Sequence, residues 1–343
     1  MKKRTKWGIG YGAALGAFTL WLMLDTFVIP HVYGAVVAAP TAQAQAEETE
    51  TAAVETETAA ETLRAETVSQ RTSQSKGGKK SGKSGGSAQT TQNTQTAQTG
   101  GGETSEVYDD GSTRIELTEY RYLDTTVYVA DVQVESAQAL SAVLAGDVYA
   151  RNVTETPSDM AARSGAVLAV NGDYYGARQT GYVIRNGVLY RESGQAGQED
   201  LVIDRNGDFS IVREDEVSAR ELLAEGAWQV YSFGPGLIED GEITVGMYDE
   251  VDRAMASNPR TALAQVGEGH YLFVVADGRS GESQGLTLYE LAQFLSDLGA
   301  ETAYNLDGGG SSAMIFQGRL VNDPSGSGRG SGERKVSDIV GIF

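Results

Sequence analysis

The chain has 343 residues, a net charge of −20, no cysteine and only two histidines, His31 and His270. This composition excludes a disulfide scaffold, a cysteine nucleophile, thiolate metal sites and a polyhistidine metal cluster. The negative charge also argues against a nucleic-acid partner, because binding a polyphosphate requires a basic surface. Any chemistry must therefore be carried by carboxylates, arginines, hydroxyl groups and backbone amides.

Residues 1–39 have the pattern of an N-terminal membrane segment. Four basic residues within positions 1–6 precede a stretch from Trp7 to Leu24 that is apolar or glycine except at Thr19. At about 1.5 Å per helical residue, this stretch and its flanks span a hydrocarbon core of roughly 30 Å. Because the basic end stays in the cytoplasm, we expect a single-pass protein of the cell membrane with an extracellular domain. The alternative is secretion after signal-peptide cleavage at the A-x-A-like sites within residues 42–46.

Residues 40–105 are predicted to form a disordered, low-complexity linker. They consist mainly of Thr, Ala, Gln, Glu, Ser and Gly, and such a segment buries too little apolar surface to offset the entropy of ordering. Residues 77–84, GGKKSGKS, fit the phosphate-loop pattern, but low-complexity sequence surrounds them. That pattern binds phosphate only between a buried strand and a helix, so we expect no nucleotide here.

Residues 106–343 form the predicted folded domain and carry a charge of −21. A segment of this length is large enough for one substantial core. Strand patterns dominate it, and they lie at residues 125–134, 166–170, 263–266, 271–276 and 302–306. Tight-turn pairs between apolar segments predict hairpins, and they lie at residues 186–187, 206–207, 240–241 and 317–318.

Helices are few and begin at recognisable caps. Residues 287–290 and 218–221 are capping boxes, and Thr156-Pro157 marks the start of a third helix. Strand 271–276, helix 288–298 and strand 302–306 form a β-α-β unit, whose strands we expect to be parallel neighbours. The predicted fold class is α+β, a mixed and mostly antiparallel sheet with this β-α-β unit and few helices.

Four polar, glycine-rich stretches that follow strands are the candidate site. They are Asn171-Gly-Asp-Tyr-Tyr175, Asn258-Pro-Arg-Thr261, Asp277-Gly-Arg-Ser280 and Asn305-Leu-Asp-Gly-Gly-Gly-Ser-Ser312. In the last stretch, Gly308, Gly309 and Gly310 permit positive φ angles and close approach, so successive amides can converge on an anion. Ser311 and Ser312 add hydroxyl donors.

Paired carboxylates and arginines suggest the chemistry of this site. Asp277 and Asp307 each end a strand of the predicted β-α-β unit, so we expect their carboxyls to lie close together. Two carboxyls flanking an acetal carbon are the usual equipment for glycoside hydrolysis, and Arg260 and Arg279 can bind phosphate through bidentate hydrogen bonds. We expect no metal site and no cofactor; a divalent cation held by Asp173, Asp277 and Asp307 is the alternative.

Together with Val321-Asn322 and Arg334, these four motifs resemble the phosphodiester glycosidase family over about residues 165–343. The most specific element is the spacing of NLDGGGSS about 30 residues after ADGRS. The resemblance implies hydrolysis at the anomeric carbon of a sugar 1-phosphodiester, such as one of N-acetylglucosamine, to give free sugar and a phosphomonoester. The site residues that it implies are Asn171, Arg260, Asp277, Asp307, Gly308–Gly310 and Ser311.

We interpret Asp307, Asp277 and Arg260 as catalytic. The predicted substrate-binding residues are Asn171, Asp173, Arg279, Asn305, Gly308, Gly309, Gly310, Ser311 and Ser312. Arg260 and Arg279 would hold the phosphate while one of the two aspartates assists attack at C1. The expected partner is a carbohydrate phosphodiester, drawn from cell-wall polymers or exopolysaccharide. Two alternatives stay open: a non-catalytic module that binds wall glycopolymer, and a metal-dependent phosphodiesterase that cleaves P–O.

Overall fold

The computed structural model describes residues 15–26, 28–38, 103–250, 257–325 and 332–343. The chain divides into two units, one formed by residues 1–38 with 99–343 and the other by residues 39–98. The second unit lies outside the described residues, and so do residues 77–84 with their phosphate-loop pattern. The predictions for the linker therefore stay predictions.

Strands dominate the first unit, as expected. In chain order they are β1 (His31–Val32), β2 (Val37–Ala38), β3 (Glu103–Asp109), β4 (Thr113–Tyr122), β5 (Thr125–Val134), β6 (Leu140–Leu144), β7 (Ala150–Arg151), β8 (Leu168–Asn171), β9 (Val183–Arg185), β10 (Val188–Arg191), β11 (Glu199–Asp204), β12 (Phe209–Arg213), β13 (Ala227–Tyr231), β14 (Gly236–Glu239), β15 (Glu242–Ile243), β16 (Arg260–Gly267), β17 (His270–Ala276), β18 (Thr302–Asn305), β19 (Met314–Phe316), β20 (Arg319–Leu320) and β21 (Asp338–Ile342).

These strands form antiparallel sheets. The largest sheet has eight strands in the order β15-β14-β18-β16-β17-β5-β4-β3. A six-stranded sheet has the order β12-β11-β13-β9-β10-β2, a five-stranded sheet has the order β20-β19-β8-β21-β6, and β1 pairs with β7. All the ladder pairs among the described strands are antiparallel, which confirms the mostly antiparallel prediction.

Local turn and cap signals predicted their elements well. The four predicted turn pairs connect β9 to β10, β11 to β12, β14 to β15 and β19 to β20, each as an antiparallel hairpin. Helices α1 (Pro157–Ser164), α2 (Ala219–Ala224) and α3 (Leu288–Asp297) begin at the predicted caps, and the latter two have complete capping boxes. Such signals depend only on residues a few positions apart, so sequence alone can find them.

The expectation that β17 and β18 are parallel neighbours is wrong. Strand β16 lies between them and is antiparallel to both, pairing Ala262 with Val274 on one side and Asn305 on the other. The two strands therefore run in the same direction but are separated by one strand, with α3 as the connection. As a result, Arg260, Ala276 and Asn305 lie at the same end of three adjacent strands.

The central strands β16 and β17 of the eight-stranded sheet are buried on both faces. Along β17, Phe273 and Val275 pack into a core shared with strands of the other two large sheets, while Leu272 and Val274 pack on the side of α3. Alternate residues of a strand point to opposite faces, so a strand buried on both faces is apolar throughout. This double burial holds the strand ends that carry the polar motifs.

The N-terminal segment contacts the folded domain. Residues 15–26 are helical, and within the described part of the chain no helix is both long and apolar enough to cross a membrane. The predicted membrane helix is thus not shown. Residues 28–38, here called the arm, add β1 to β7 and β2 to β10, and Arg151 donates a hydrogen bond of 2.8 Å to the carbonyl oxygen of Thr26.

Candidate active site

The strand order brings two of the predicted motifs against a third, the segment at 305–312. The amide of Leu306 donates to the carbonyl oxygen of Thr261 at 2.9 Å, and the amide of Gly309 donates to that of Pro259 at 2.8 Å. The amide of Asp307 reaches the carbonyl oxygen of Gly172 at 3.3 Å. The motifs that begin at Asn171 and Asn258 therefore lie directly against the glycine-rich loop.

Asn171 fixes this assembly through its side chain. It is fully buried at the end of β8, and its Nδ2 donates to the carbonyl oxygen of Asp307 at 2.5 Å. Its Oδ1 accepts hydrogen bonds from the Thr261 hydroxyl at 2.8 Å and from the Ala313 amide at 3.2 Å. The structure therefore places Asn171 as the residue that positions the loop carrying Asp307.

Asp307 has an environment suited to proton transfer or nucleophilic attack. Burial raises the pKa of Asp307 from 3.8 to about 6, although a hydrogen bond from Ser311 and the positive charges of Arg334 and Arg178 favour its ionised form. Arg334 also approaches the Ser311 hydroxyl at 3.4 Å. A carboxyl that titrates close to neutral pH is a candidate acid, base or nucleophile.

Arg178 is the site residue that sequence reasoning missed. It lies in the loop that follows the first motif, where its Nη1 donates to the carbonyl oxygen of Ser232 at 3.3 Å. Its guanidinium also packs 4.8 Å from the centroid of the Phe233 ring. The only local signal was an arginine shortly after NGDYY, and its closeness to Asp307 depends on contacts between distant parts of the chain.

Asp277 accepts hydrogen bonds from residues that do not contact Asp307 in the same way. It is 8% exposed; its Oδ1 accepts from Asn322 Nδ2 at 3.0 Å and its Oδ2 accepts from the Asp323 amide at 3.4 Å. Burial raises the pKa of Asp277. Asn322 also donates to the carbonyl oxygen of Ser312 at 3.0 Å. Asp277 thus connects through Asn322 to the far end of the loop that carries Asp307, and the two carboxyls have different partners.

The two predicted phosphate-binding arginines have protein partners. Arg260 is 3% exposed, donates to the carbonyl oxygen of Leu286 at 2.9 Å and pairs with Glu250 at 3.0 Å. Burial lowers the pKa of Arg260, and the charge of Arg279 contributes to this shift. Arg279 donates to the Asn258 side-chain oxygen from Nε at 3.1 Å and from Nη2 at 2.8 Å. The two guanidinium groups therefore lie in one positively charged region beside β16.

Gly309 explains why this loop requires glycine. Its φ is +61°, and a Cβ there would come within 2.9 Å of the Arg279 guanidinium. A larger residue would have both an unfavourable backbone conformation and a steric clash. Gly309 thus allows Arg279 to lie directly against the loop backbone.

The amides of the loop bind protein carbonyl groups. Gly309 donates to Pro259, and the turn Gly309–Ser311 directs the amides of Ser311 and Ser312 to the carbonyl oxygens of Gly308 and Gly309 at 3.2 and 3.3 Å. These three amides therefore already have protein acceptors, because a 3₁₀ turn uses its own donors, and anion binding by the loop stays a prediction. Gly310 is buried within the turn, and the Gly308 amide hydrogen-bonds the Asp307 carboxylate.

Two predicted binding residues lie deep beside the loop. Asn305 donates to the carbonyl oxygen of Gly234 at 2.8 Å. Among the described residues, its Oδ1 and the Ser312 hydroxyl oxygen are buried without a hydrogen-bond partner. Buried polar atoms of this kind usually bind water or a ligand group.

Asp173 belongs to a buried charge cluster rather than to an open binding surface. Arg185 bridges Asp173 and Asp338 with contacts of 2.8 Å to each carboxylate, and the three side chains are almost fully buried. The Ser232 amide also donates to Asp173 at 2.9 Å. Gly172 approaches this cluster so closely that a Cβ would lie 2.2 Å from Asp338 Oδ1. Asp173 thus anchors the first motif.

The alternative of a divalent cation held by Asp173, Asp277 and Asp307 gains no support from this geometry. Across the described ranges, no group of three or more His, Cys, Asp or Glu side chains is arranged to hold a metal ion. Asp173 is instead neutralised by Arg185 at 2.8 Å.

A family model for phosphodiester glycosidases matches residues 164–343, the part of the chain that contains all four motifs. The chain belongs to the phosphodiester glycosidase family. The family resemblance inferred from the motifs is therefore confirmed. Relatives in this family are glycosidases that act on phosphodiesters.

This chain aligns with only part of the length of each relative. The chain is 32% identical over 178 residues to the SPbeta prophage-derived uncharacterized protein YomE of Bacillus subtilis (strain 168), covering 50% of this chain and 27% of that one. It is 30% identical over 186 residues to mouse N-acetylglucosamine-1-phosphodiester alpha-N-acetylglucosaminidase, covering 50% of this chain and 35% of the mouse protein. The chain thus spans about a third or less of these relatives.

Solved structures show the same fold. The catalytic domain of zebrafish N-acetylglucosamine-1-phosphodiester alpha-N-acetylglucosaminidase, auto-inhibited by its pro-peptide, aligns with a TM-score of 0.53 at 22% identity, covering 70% of this chain and 88% of that one. A hypothetical protein from Synechocystis aligns with a TM-score of 0.51 at 16% identity, covering 70% of this chain and 64% of that one. The strand arrangement of this chain is therefore shared with proteins of low sequence identity.

Replacing Arg185 by Met should strongly destabilise the domain. The substitution leaves two buried carboxylates without their shared cation, a change that lowers the free energy of unfolding by about 3–5 kcal/mol in buried ion pairs. Chemical denaturation monitored by tryptophan fluorescence measures the loss. Arg114→Met is the matched control, because Arg114 pairs with Glu116 at 2.9 Å on the exposed surface. Equal losses in the two variants would contradict a special role for the buried cluster.

Replacing Asp307 by Asn should alter the pH dependence of stability. Because the pKa of Asp307 rises from 3.8 to about 6 on folding, the folded state binds the extra proton between these values. The free energy of unfolding of the wild type therefore falls as pH increases through this window. Asn resembles the neutral carboxyl, so the variant should gain stability relative to the wild type as pH rises from about 4 to about 6, and this difference should stay constant at higher pH.

Thermal unfolding at several pH values measures this difference. Asp297→Asn makes the same chemical change at an exposed position near the end of α3 and provides the control. A stability difference for Asp307→Asn that is constant with pH would contradict the assigned titration.

Proposed function

We propose that the domain hydrolyses glycosyl 1-phosphodiesters at the anomeric carbon, with N-acetylglucosamine 1-phosphodiesters as the substrate class to test first. The single observation that carries this proposal is the environment of Asp307, whose pKa is raised to about 6 and which lies near Arg178 and Arg334. A carboxyl beside two cations fits a reaction at carbon with an anionic leaving group. Family membership and the name of the mouse relative support the same reaction.

In this mechanism, the arginines and Asp307 have different roles. Arg178 and Arg334 bind the phosphate, and the Asp307 carboxylate acts at C1 either as nucleophile or as the base that takes a proton from water. The bond from C1 to the phosphate oxygen breaks with its electron pair on that oxygen, and an oxygen from water ends on C1. The phosphomonoester is a good leaving group, so strong protonation of the leaving oxygen is unnecessary.

In this proposal, Asp277 and Arg260 position other groups of the site and do not react with the substrate. The two oxygens of Asp277 accept hydrogen bonds from Asn322 and from the Asp323 amide, so this carboxyl is better suited to fixing the loop than to reacting. Arg260 pairs with Glu250 and increases the positive potential beside Arg279. Both residues are therefore proposed to be positioning residues for the loop and its arginines.

Asp307→Asn should abolish release of free N-acetylglucosamine from the methyl phosphodiester of N-acetylglucosamine 1-phosphate. Loss of the acting carboxylate should lower kcat/KM by at least about 100-fold, while Asp297→Asn should resemble the wild type. The wild-type kcat/KM should increase with pH through about 6, because the ionised form of Asp307 is the reactive one. A reducing-sugar assay on the full chain measures these rates.

The same assay separates the alternative functions. Hydrolysis in water enriched in oxygen-18 places the label in the sugar if C–O is cleaved and in the phosphate if P–O is cleaved, and the latter result would contradict the proposal. Loss of activity with EDTA would favour a metal-dependent phosphodiesterase. Binding without turnover on a panel of sugar 1-phosphodiesters, retained by Asp307→Asn, would favour the non-catalytic binding module.

We propose further that the protein is exported and acts on cell-wall or exopolysaccharide glycopolymers, either anchored in the cell membrane or secreted after cleavage. Support comes from the basic residues before the apolar segment and from the exposed apolar side chains of the helical residues 15–26, including Leu20 at 60% and Trp21 at 54%. Protease added to intact cells should degrade the domain if it is anchored outside. Protection in intact cells with degradation after lysis, and no protein in the medium, would contradict export.

A further inference from the structure

A cavity of about 730 Å³ lies next to Arg178. Its aromatic lining is a group of tyrosines in which Tyr149 stacks against Tyr175 and Tyr190 with ring centroids 5.1 Å apart. Tyr33 of the arm completes the group at 5.8 Å from Tyr149. Because aromatic faces pack against sugar rings and other flat or apolar surfaces, the cavity has a surface suited to an organic group.

The charged lining of this cavity is entirely basic. Arg151, Arg178 and Arg191 line it, and no carboxylate does so among the described residues, although the whole chain has a net charge of −20. All three guanidinium groups donate to backbone carbonyl oxygens. Within the described ranges none of them has an ion-pair partner, so no carboxylate neutralises their charge.

A second cavity, of about 490 Å³, has the opposite character. Its lining includes Glu199, Asp249 and Glu250, and no basic residue among those described. Phe233 also lines it, and this ring lies 4.8 Å from the Arg178 guanidinium. Arg178 therefore lies between an acidic cavity and a basic cavity, and a ligand with an asymmetric charge distribution would bind in one orientation.

The positions of the two cavities relative to Arg178 indicate how the substrate is oriented in the proposed reaction. In the proposed reaction C1 lies at Asp307 and the phosphate at Arg178. The second ester group of the phosphate, the aglycone, then extends past Arg178 into the cavity that this arginine lines. Repulsion by the acidic residues disfavours a negatively charged aglycone in the other cavity.

Resting on the proposed function, we propose that the cavity formed by these tyrosines and arginines is the aglycone subsite and selects an aglycone that carries a further phosphate. Arg151 and Arg191 bind the second phosphate, and the tyrosine rings pack against the organic part. The arm supplies one wall through Tyr33, so residues 28–38 take part in substrate binding.

Two synthetic substrates that differ by one phosphate test this selectivity. They are the methyl ester of N-acetylglucosamine 1-phosphate and the methyl ester of N-acetylglucosamine 1-diphosphate, both of which release N-acetylglucosamine on cleavage at C1. Using the full chain, we expect Arg151→Gln to raise KM for the diphosphate by about tenfold relative to the monophosphate, as for the loss of a charge-assisted hydrogen bond. Arg121→Gln, the same change on an exposed hairpin residue outside both cavities, should leave the KM ratio unchanged.

Several other outcomes would contradict the proposed aglycone subsite. An equal effect of Arg151→Gln on the two substrates, or a wild type without preference for the diphosphate, would contradict selection by a second phosphate. Faster hydrolysis of both substrates by Tyr33→Ala would show that the arm obstructs the site instead of building it. If the wild type hydrolyses neither compound, the proposed function fails, and calorimetry then tests the cavity separately: equal affinities for the two compounds would contradict it.

Discussion

One side-chain amide, that of Asn171, joins strands of two different sheets at the candidate active site. It hydrogen-bonds the carbonyl oxygen of Asp307, the hydroxyl of Thr261 and the amide of Ala313. These groups follow β18, belong to β16 and precede β19, respectively. Because the amide is fully buried, removing it would leave these polar groups without their present partner. The position of the Asp307 loop therefore depends on this residue being held by β8.

At Asp307, the protonation state that burial favours differs from the one that the proposed reaction requires. Its raised pKa shows that burial disfavours the ionised carboxylate even with Arg178 and Arg334 nearby, whereas the proposed reaction requires the ionised form. Hydrogen bonds hold the backbone around Asp307: its amide donates to the carbonyl oxygen of Gly172 at 3.3 Å, and its carbonyl oxygen accepts from the Asn171 side chain. A rigid surrounding is what keeps an unfavourable charge at a defined point.

Sequence reasoning predicted those features that depend on nearby residues, and it missed those that depend on long-range packing. The hairpin turns, the helix caps and the polar strand ends were all predicted, because turn and cap chemistry is local. The insertion of β16 between β17 and β18 could not be predicted, since strand order is decided by contacts between residues far apart in the chain. For the same reason Asp173 could not be distinguished from a binding residue before its partner Arg185 was known, and Arg178 was not recognised as a neighbour of Asp307. The motifs therefore indicated a candidate site, while the contacts within it required the structure.

The pairing of the arm has a consequence for how the chain is processed. Strand β2 forms the edge of the six-stranded sheet, and β1 covers the edge of β7. An uncovered edge strand offers unpaired amides and carbonyls to other chains. A cut within residues 42–46 would separate both strands from the domain, so that the mature protein would keep them only by non-covalent contact. A cut before residue 28 would leave both edges covered. The position of a single cleavage would thus decide whether the domain, if it is secreted as proposed, carries open edges and a tendency to self-associate.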